Sequence, residues 1–399
     1  MNPNLGQLEP YPFQKLAALT KAIQPPAKPL VNMAIGEPRD HPPEVVTASI
    51  CKGLAALATY PSTRGERPVR QAITDWLARR YRLAPQLLDP DRHVLPVSGS
   101  REALFSVVQT QIDARGGRPL VLMPNPFYQI YEGAARLAGA EPYYVNTDAA
   151  NDYRMDFAAI PASVWARTQL VFICSPSNPT GQVMREQDYA LILERSREYG
   201  FLIAADECYA ELYDDETAPP VGLLQAAANL GVRDFARCIV FHSLSKRSSV
   251  PGLRGGFVAG DADFLQNYFT LRTYYGSAPS MLAQNALIAA LADEEHVRAS
   301  RARYRRKFDD ALAILGARAR RPAGGFYLWL ATQGDDERFA AGLYAAEHVL
   351  TLPGRYLSRP TPGGDPGAGY VRIALVGSEA ECHEGVLRLR AYMDSLATR

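Results

Sequence analysis

The stretch Ser243-Leu244-Ser245-Lys246 places one amine directly behind two hydroxyls, and Arg254 follows in the loop Gly252-Leu253-Arg254-Gly255-Gly256. An amine in that setting can condense with an aldehyde while hydroxyls and a guanidinium hold a phosphate, so the set suits a phosphorylated aldehyde. A surface lysine in a basic loop, with Arg247 beside it, explains the same residues without any ligand. Asp206 ends the apolar run Phe201-Leu202-Ile203-Ala204-Ala205. Burial there raises a carboxyl pKa unless a cation pairs with it, and a pyridinium nitrogen is such a partner. A ring kept protonated in this way is an electron sink for a carbanion on the attached carbon. The competing reading is an aspartate that caps the next turn or pairs with a structural arginine. Asn178, in Ser175-Pro176-Ser177-Asn178-Pro179-Thr180-Gly181, and Tyr209, in Asp206-Glu207-Cys208-Tyr209, can both donate to a phenolate oxygen on such a ring. That lowers the basicity of an attached imine. Tyr128, in Pro126-Phe127-Tyr128-Gln129-Ile130-Tyr131, can stack on the ring face, although an aromatic there fits a core as well.

These groups need elements that bring them to one edge. Val94–Val97, Leu120–Met123, Pro142–Val145, Leu170–Cys174, Phe201–Ala205, Ile239–His242 and Gly256–Val258 read as strands, with helices at Tyr128–Leu137 and Gln187–Glu198 between them. Strands alternating with helices predict an α/β fold: a large domain with a mainly parallel sheet covered on both faces. Ligands on such sheets bind beyond the carboxyl ends of the strands, where Ser98-Gly99-Ser100, Asn178, Asp206 and Lys246 all fall. A helix beginning at Ser100 aims free backbone N–H groups at whatever precedes it, which is a phosphate site and also simply an N-cap. Val31 to Ile35, then Gly36, form an apolar run ending in a glycine turn. Residues 261 to 316 are helical in pattern; Gly325–Leu330 and Tyr370–Ala374 follow as strands, and Glu379–Leu396 closes as a helix. The expected division is 1–45 (an N-terminal arm and part of a small domain), 46–280 (the large domain) and 281–399 (a smaller α+β domain). Thr361–Gly369 reads as a surface loop.

Composition removes several function classes. The formal net charge is +1, from 43 basic and 42 acidic side chains, so nothing favours nucleic acid or an anionic membrane as partner. Cys51, Cys174, Cys208, Cys238 and Cys382 are odd in number and widely spaced, which suits a reducing compartment and excludes a disulfide framework. No histidine pairing suggests a metal site. The start of the chain lacks a signal-peptide pattern and no long apolar run occurs, so the expectation is a soluble, cytoplasmic protein.

Taken together, Gly99-Ser100-Arg101, Pro126-x-Tyr128-x-x-Tyr131, Asn178-Pro179-Thr180-Gly181, Asp206-Glu207-x-Tyr209, Ser243-x-Ser245-Lys246, Gly252-Leu253-Arg254-x-Gly256 and Arg372 resemble the signature set of class I/II aminotransferases. These are fold-type I enzymes that use pyridoxal 5′-phosphate, and the resemblance covers nearly the whole chain. It implies that Lys246 holds the cofactor and then moves the proton between substrate carbon and cofactor. It implies that Asp206 pairs with the pyridine nitrogen, that Asn178 and Tyr209 bind the ring oxygen, and that Tyr128 stacks on the ring. Gly99, Ser100 and Arg101 through the backbone, with Ser243, Ser245 and Arg254, would hold the phosphate. Arg372 would fork onto the substrate carboxylate, aided by the Gly36 backbone. Tyr60 would reach the cofactor phosphate of a neighbouring subunit, so a homodimer with shared sites is expected.

Ile35-Gly36-Glu37-Pro38-Arg39 and Tyr60-Pro61-Ser62-Thr63-Arg64-Gly65 are most similar to bacterial succinyldiaminopimelate aminotransferases of the lysine pathway. The expected reaction partners are a small-molecule amino donor and a 2-oxo acid. A succinyl carboxylate needs a distal cation, for which Arg39 and Arg64 are candidates, with Arg355 behind them. The chain departs from that pattern at Asp40-His41-Pro42-Pro43, where histidine would be expected directly after Arg39. Alternatives are an aminotransferase for aspartate, aromatic or other small amino acids, and a β-lyase on the same fold. A ligand-binding regulator is disfavoured, because about 30 residues precede the first motif and charge is near zero.

Overall fold

The computed structural model describes residues 1–276 and 278–397. In chain order the strands are β1 (Val31–Asn32), β2 (Val94–Val97), β3 (Leu120–Asn125), β4 (Glu141–Asn146), β5 (Thr168–Cys174) and β6 (Leu202–Asp206). They continue with β7 (Cys238–Ser243), β8 (Gly256–Gly260), β9 (Tyr327–Ala331), β10 (Val349–Leu350), β11 (Leu352–Pro353) and β12 (Tyr370–Ala374).

Seven of these form the large-domain sheet, in the order β2-β8-β7-β6-β5-β3-β4. The pairs from β4 through β7 are parallel, whereas β8 runs antiparallel to both of its neighbours. The apolar runs predict this burial, because a sheet covered on both faces needs hydrophobes at every position rather than every second one. Successive residues face opposite layers. Leu122, Val171, Ile203 and Val240 pack with Ile73, Trp76, Ile192 and Leu224, while Val121, Phe172, Ala204 and Phe241 pack with Leu104, Val107, Tyr131 and Tyr268. Each fully buried side chain of this kind contributes about 1.5–3 kcal/mol.

Register brings the chemistry to one edge. Cys174 lies opposite Asp206, Asp206 opposite Phe241, and Ser243 opposite Gly256. Because β8 is antiparallel, its first residue shares this edge with the last residues of β6 and β7, and Val97 pairs with Gly256 there too. The loop carrying Arg254 is thereby delivered beside Gly99.

The smaller domain holds the antiparallel sheet β11-β12-β9. Phe308, Leu315, Leu328, Leu330, Val371, Ile373, Val386 and Leu389 form its core, and Val31 and Met33 from the N-terminal segment join it. β1 pairs in parallel with β10. The helix Met281–Ala292, assigned by sequence to the C-terminal domain, instead packs in the large-domain core: Ala286, Leu287, Ala290 and Leu291 cluster with Ile73 and Trp76. Its nearly uniform apolar surface, with no polar face, is what burial under the large domain requires. Among the described residues, no helix is long and apolar enough to cross a membrane.

Candidate active site

A cleft of about 520 Å³ opens between the two domains at the carboxyl edge of the large sheet. Lys246, Asp206, Asn178, Tyr209, Tyr128, Ser100, Arg101, Ser243, Ser245, Arg254, Arg372 and Gly36 all line it.

Lys246 stands on the single helical turn Leu244–Arg247, which β7 delivers and Ser243 caps by accepting from the Ser245 N–H at 3.1 Å. Its ammonium donates to the Gly36 carbonyl and lies 5.3 Å from the centre of the Phe326 ring. Burial pushes its pKa down to about 8. That shift makes the neutral amine, the form that condenses with an aldehyde, more accessible near neutral pH.

Asp206, the last residue of β6, is only 4% exposed. Its Oδ2 accepts from the Tyr131 hydroxyl at 2.7 Å and its Oδ1 from the Cys208 N–H at 3.2 Å. Burial holds its carboxyl above the usual range. A buried carboxyl facing a cleft is the setting for a cationic partner.

Arg372, in the middle of β12, donates to Asn178 Oδ1 at 2.9 Å and to the Ala34 carbonyl at 2.8 Å. Its guanidinium rests 4.3 Å from the centre of the Tyr327 ring, and among the described residues its Nε finds no acceptor. The Asn178 side chain spends its oxygen on Arg372 and keeps its amide hydrogens for another acceptor.

The helix Ser100–Gln111 starts directly over the cleft, with Gly99 as its cap. Gly99 has φ +86°, and a Cβ there would run into the Arg254 guanidinium. Glycine lets an arginine lie against the open amides of a helix start, which makes a cradle for a doubly charged anion. The Ser243 and Ser245 hydroxyls, 3.0 Å apart, complete it. Arg101 adds a different element: its Nε donates to the Tyr128 hydroxyl at 2.7 Å.

Four residues named from sequence stand elsewhere in this protomer. Tyr60 is fully exposed, at 102%. Arg39 pairs with Glu381 at 3.6 Å. Arg64 donates to the Asp91 carbonyl at 2.9 Å and to Gln266 at 3.0 Å, over the Phe269 ring. Arg355 is held by Asp335, Asp336 and Glu337. Conversely, Tyr327, Cys208, Glu37 and Tyr11 line the cleft without having been singled out for it. Tyr327 sits inside a run that reads only as a strand, and nothing in that run says which face meets a ligand. Among the described residues no His, Cys, Asp and Glu cluster suits a metal ion.

A lysine, a buried carboxylate and a phosphate cradle at the edge of the large sheet, with an arginine fork from the small domain facing them, define a pyridoxal-phosphate enzyme. The model for aminotransferase class I and II matches residues 28–389. An LL-diaminopimelate aminotransferase of Desulforudis audaxviator is 33% identical, covering 97% of this chain and 96% of its own length. A crystal structure of an aminotransferase from Neisseria meningitidis Z2491 superposes with a TM-score of 0.94 at 46% identity, covering 98% of this chain and 99% of that one. An aminotransferase structure from Helicobacter pylori 26695 gives 0.89 at 33% identity, covering 97% and 99%. The chain belongs to the class I and II aminotransferases, and its cofactor is pyridoxal 5′-phosphate.

Proposed function

We propose that this aminotransferase moves the amino group between N-succinyl-LL-2,6-diaminopimelate and glutamate, with 2-oxoglutarate as the partner oxo acid, in lysine biosynthesis. The observation that carries the substrate reading is Arg101. Of the cations lining the cleft, Lys246, Arg254 and Arg372 have tasks at the reacting end. Arg101 is exposed in the cleft and makes one side-chain hydrogen bond, through Nε, so its terminal nitrogens are available for a distal carboxylate. The motifs around Gly36 and Tyr60 support the same reading.

Bound pyridoxal phosphate supplies the electron sink that stabilises negative charge on the substrate carbon. In this reading the chain does the rest. Lys246, whose amine burial makes easier to deprotonate, holds the cofactor and then carries the proton between the substrate carbon and the cofactor. Asp206 keeps the ring nitrogen protonated, its own charge supported by the Tyr131 hydroxyl. Asn178 and Tyr209 donate to the ring oxygen. Gly99, Ser100, Ser243, Ser245 and Arg254 hold the phosphate, and Tyr128 covers the ring face. Arg372 grips the α-carboxylate with its fork, prealigned by Asn178 and Ala34.

A second reading, free LL-diaminopimelate as donor, is favoured by Glu37. This carboxylate lines the cleft and has no ion-pair partner among the described residues, so it would attract a distal ammonium. Several relatives, including the Desulforudis protein, bear that activity in their names.

A coupled assay of purified protein with pyridoxal phosphate, 2-oxoglutarate and a donor panel decides between them, with glutamate formation as the readout. Preference for the succinylated donor is the expected result. Preference for the free diamine selects the second reading, and activity restricted to aspartate or aromatic donors overturns both.

A further inference from the structure

Tyr327 lies where three parts of the site meet. It sits at the start of β9, in the small domain, and is 2% exposed. Its hydroxyl is 3.0 Å from the Tyr209 hydroxyl, which follows β6 in the large domain. Its ring is the shelf under the Arg372 guanidinium, at 4.3 Å. Its hydroxyl also fills the space that a side chain at Gly36 would need, so only a glycine lets the chain pass there. Tyr327 forms a wall of the cleft on one side and of a second interdomain cavity on the other.

We infer that Tyr327 is a positioning residue that strengthens the hydrogen bond from Tyr209 to the cofactor ring oxygen, while its ring fixes Arg372. Either hydroxyl of the pair can donate. Once Tyr209 donates to the ring oxygen, its own proton is used, and Tyr327 must then be the donor in the pair. A hydroxyl that accepts a hydrogen bond becomes a stronger donor. Tyr209 thus withdraws more charge from the ring oxygen, and the bound cofactor is less basic than it would otherwise be. Tyr327 is only 2% exposed, and among the described residues the hydrogen-bond partner of its hydroxyl is Tyr209. The same side chain therefore serves two ends of the reaction. Its hydroxyl acts on the ring through Tyr209, and its face acts on the substrate carboxylate through Arg372. This inference rests on the cofactor assignment.

Replacing Tyr327 by Phe separates these actions, because the ring stays and the hydroxyl goes. The measurement is a spectrophotometric pH titration of the visible band of the holoenzyme. In Tyr327→Phe the midpoint should move up by about half to one unit, the size expected for losing one neutral hydrogen bond. KM for the amino donor should stay within about twofold, because the shelf under Arg372 is intact. In a Tyr209→Phe background the added Tyr327→Phe change should leave the midpoint where Tyr209→Phe alone put it. A midpoint unchanged from wild type in the single variant overturns the inference. So does a shift that persists undiminished in the Tyr209→Phe background, because Tyr327 would then act without Tyr209. Pyridoxal phosphate titration of each apoenzyme, followed by fluorescence, reports whether the variant still folds and binds. Absence of any visible band in the wild type would instead remove the cofactor assignment beneath it.

Discussion

The hydroxyl of Tyr131 donates to Asp206 Oδ2 at 2.7 Å, both groups being buried beneath the cleft. Tyr131 reaches that point because its ring stacks on Phe172, 4.4 Å between centres and 13° from parallel, inside the helix-to-sheet layer. Its hydroxyl pKa is driven well above the ordinary value by burial and then by the neighbouring carboxylate, so it stays a donor at every working pH. Replacing it with Phe removes a hydrogen bond to a charged group, worth about 1.5–3 kcal/mol. The expected outcome for Tyr131→Phe is a fall in kcat/KM of about 10- to 100-fold, with far-UV circular dichroism unchanged. Full activity in a folded Tyr131→Phe protein would show that Asp206 holds its charge without it.

Lys246 makes a pH prediction whose sign follows from burial. Its folded pKa of about 8 lies below the unfolded value near 10.5. Below pH 8 the buried charge costs the folded apoenzyme about 3 kcal/mol. That cost is relieved as pH rises from 8 to 10.5 and is absent above it, since the unfolded chain binds more protons in this window. Lys246→Met apoenzyme should therefore be more stable than wild type at pH 7, and the gap should narrow to under about 1 kcal/mol by pH 10. Denaturant melts at the two pH values check it; a gap that does not change with pH would place the ammonium in a better solvated site. Lys246→Ala should also lose the visible band and nearly all turnover.

Two opposite charges at the cleft distinguish the donors. Arg101→Ala should raise KM for the succinylated donor by up to about fivefold and leave glutamate within about 1.5-fold, as expected for one exposed charge contact. Glu37→Gln should weaken the free diamine and improve or leave the succinylated one. Equal effects on all donors would remove both residues from substrate discrimination. The same comparison on Arg39→Ala and Arg64→Ala tests the remaining arginines.

Tyr60 is fully exposed in a single protomer, as a residue serving a partner's site would be. If it bonds the phosphate of a neighbouring cofactor, Tyr60→Phe should raise the dissociation constant for pyridoxal phosphate by about tenfold or more. Equilibrium titration of the apoenzyme, alongside sedimentation of wild type, checks both the contact and the dimer. Unaltered affinity would leave Tyr60 as a surface residue.

Much of the fold was legible in order along the chain, because a sheet buried on both faces writes itself as apolar runs such as Phe201–Ala205 and Cys238–Phe241. Asp206, at the end of one such run, and Lys246, in the turn just after the other, were legible as chemistry for the same reason: a polar group placed where a buried strand ends needs a cause. Gly99 and Arg254 were legible by type, although their mutual approach was not. Other features depended on how distant segments meet. The antiparallel course of β8 puts Arg254 beside Gly99, and the docking of Met281–Ala292 onto Trp76 moves the domain boundary. Tyr327 gained its place only when β9 came against Gly36 and Tyr209, and Arg64 was drawn to Asp91 and Gln266. Periodicity and residue type are local properties, and they set which groups end at an edge. Which side chains then share a cleft depends on strand order, register and domain packing, which arise from contacts between residues hundreds of positions apart.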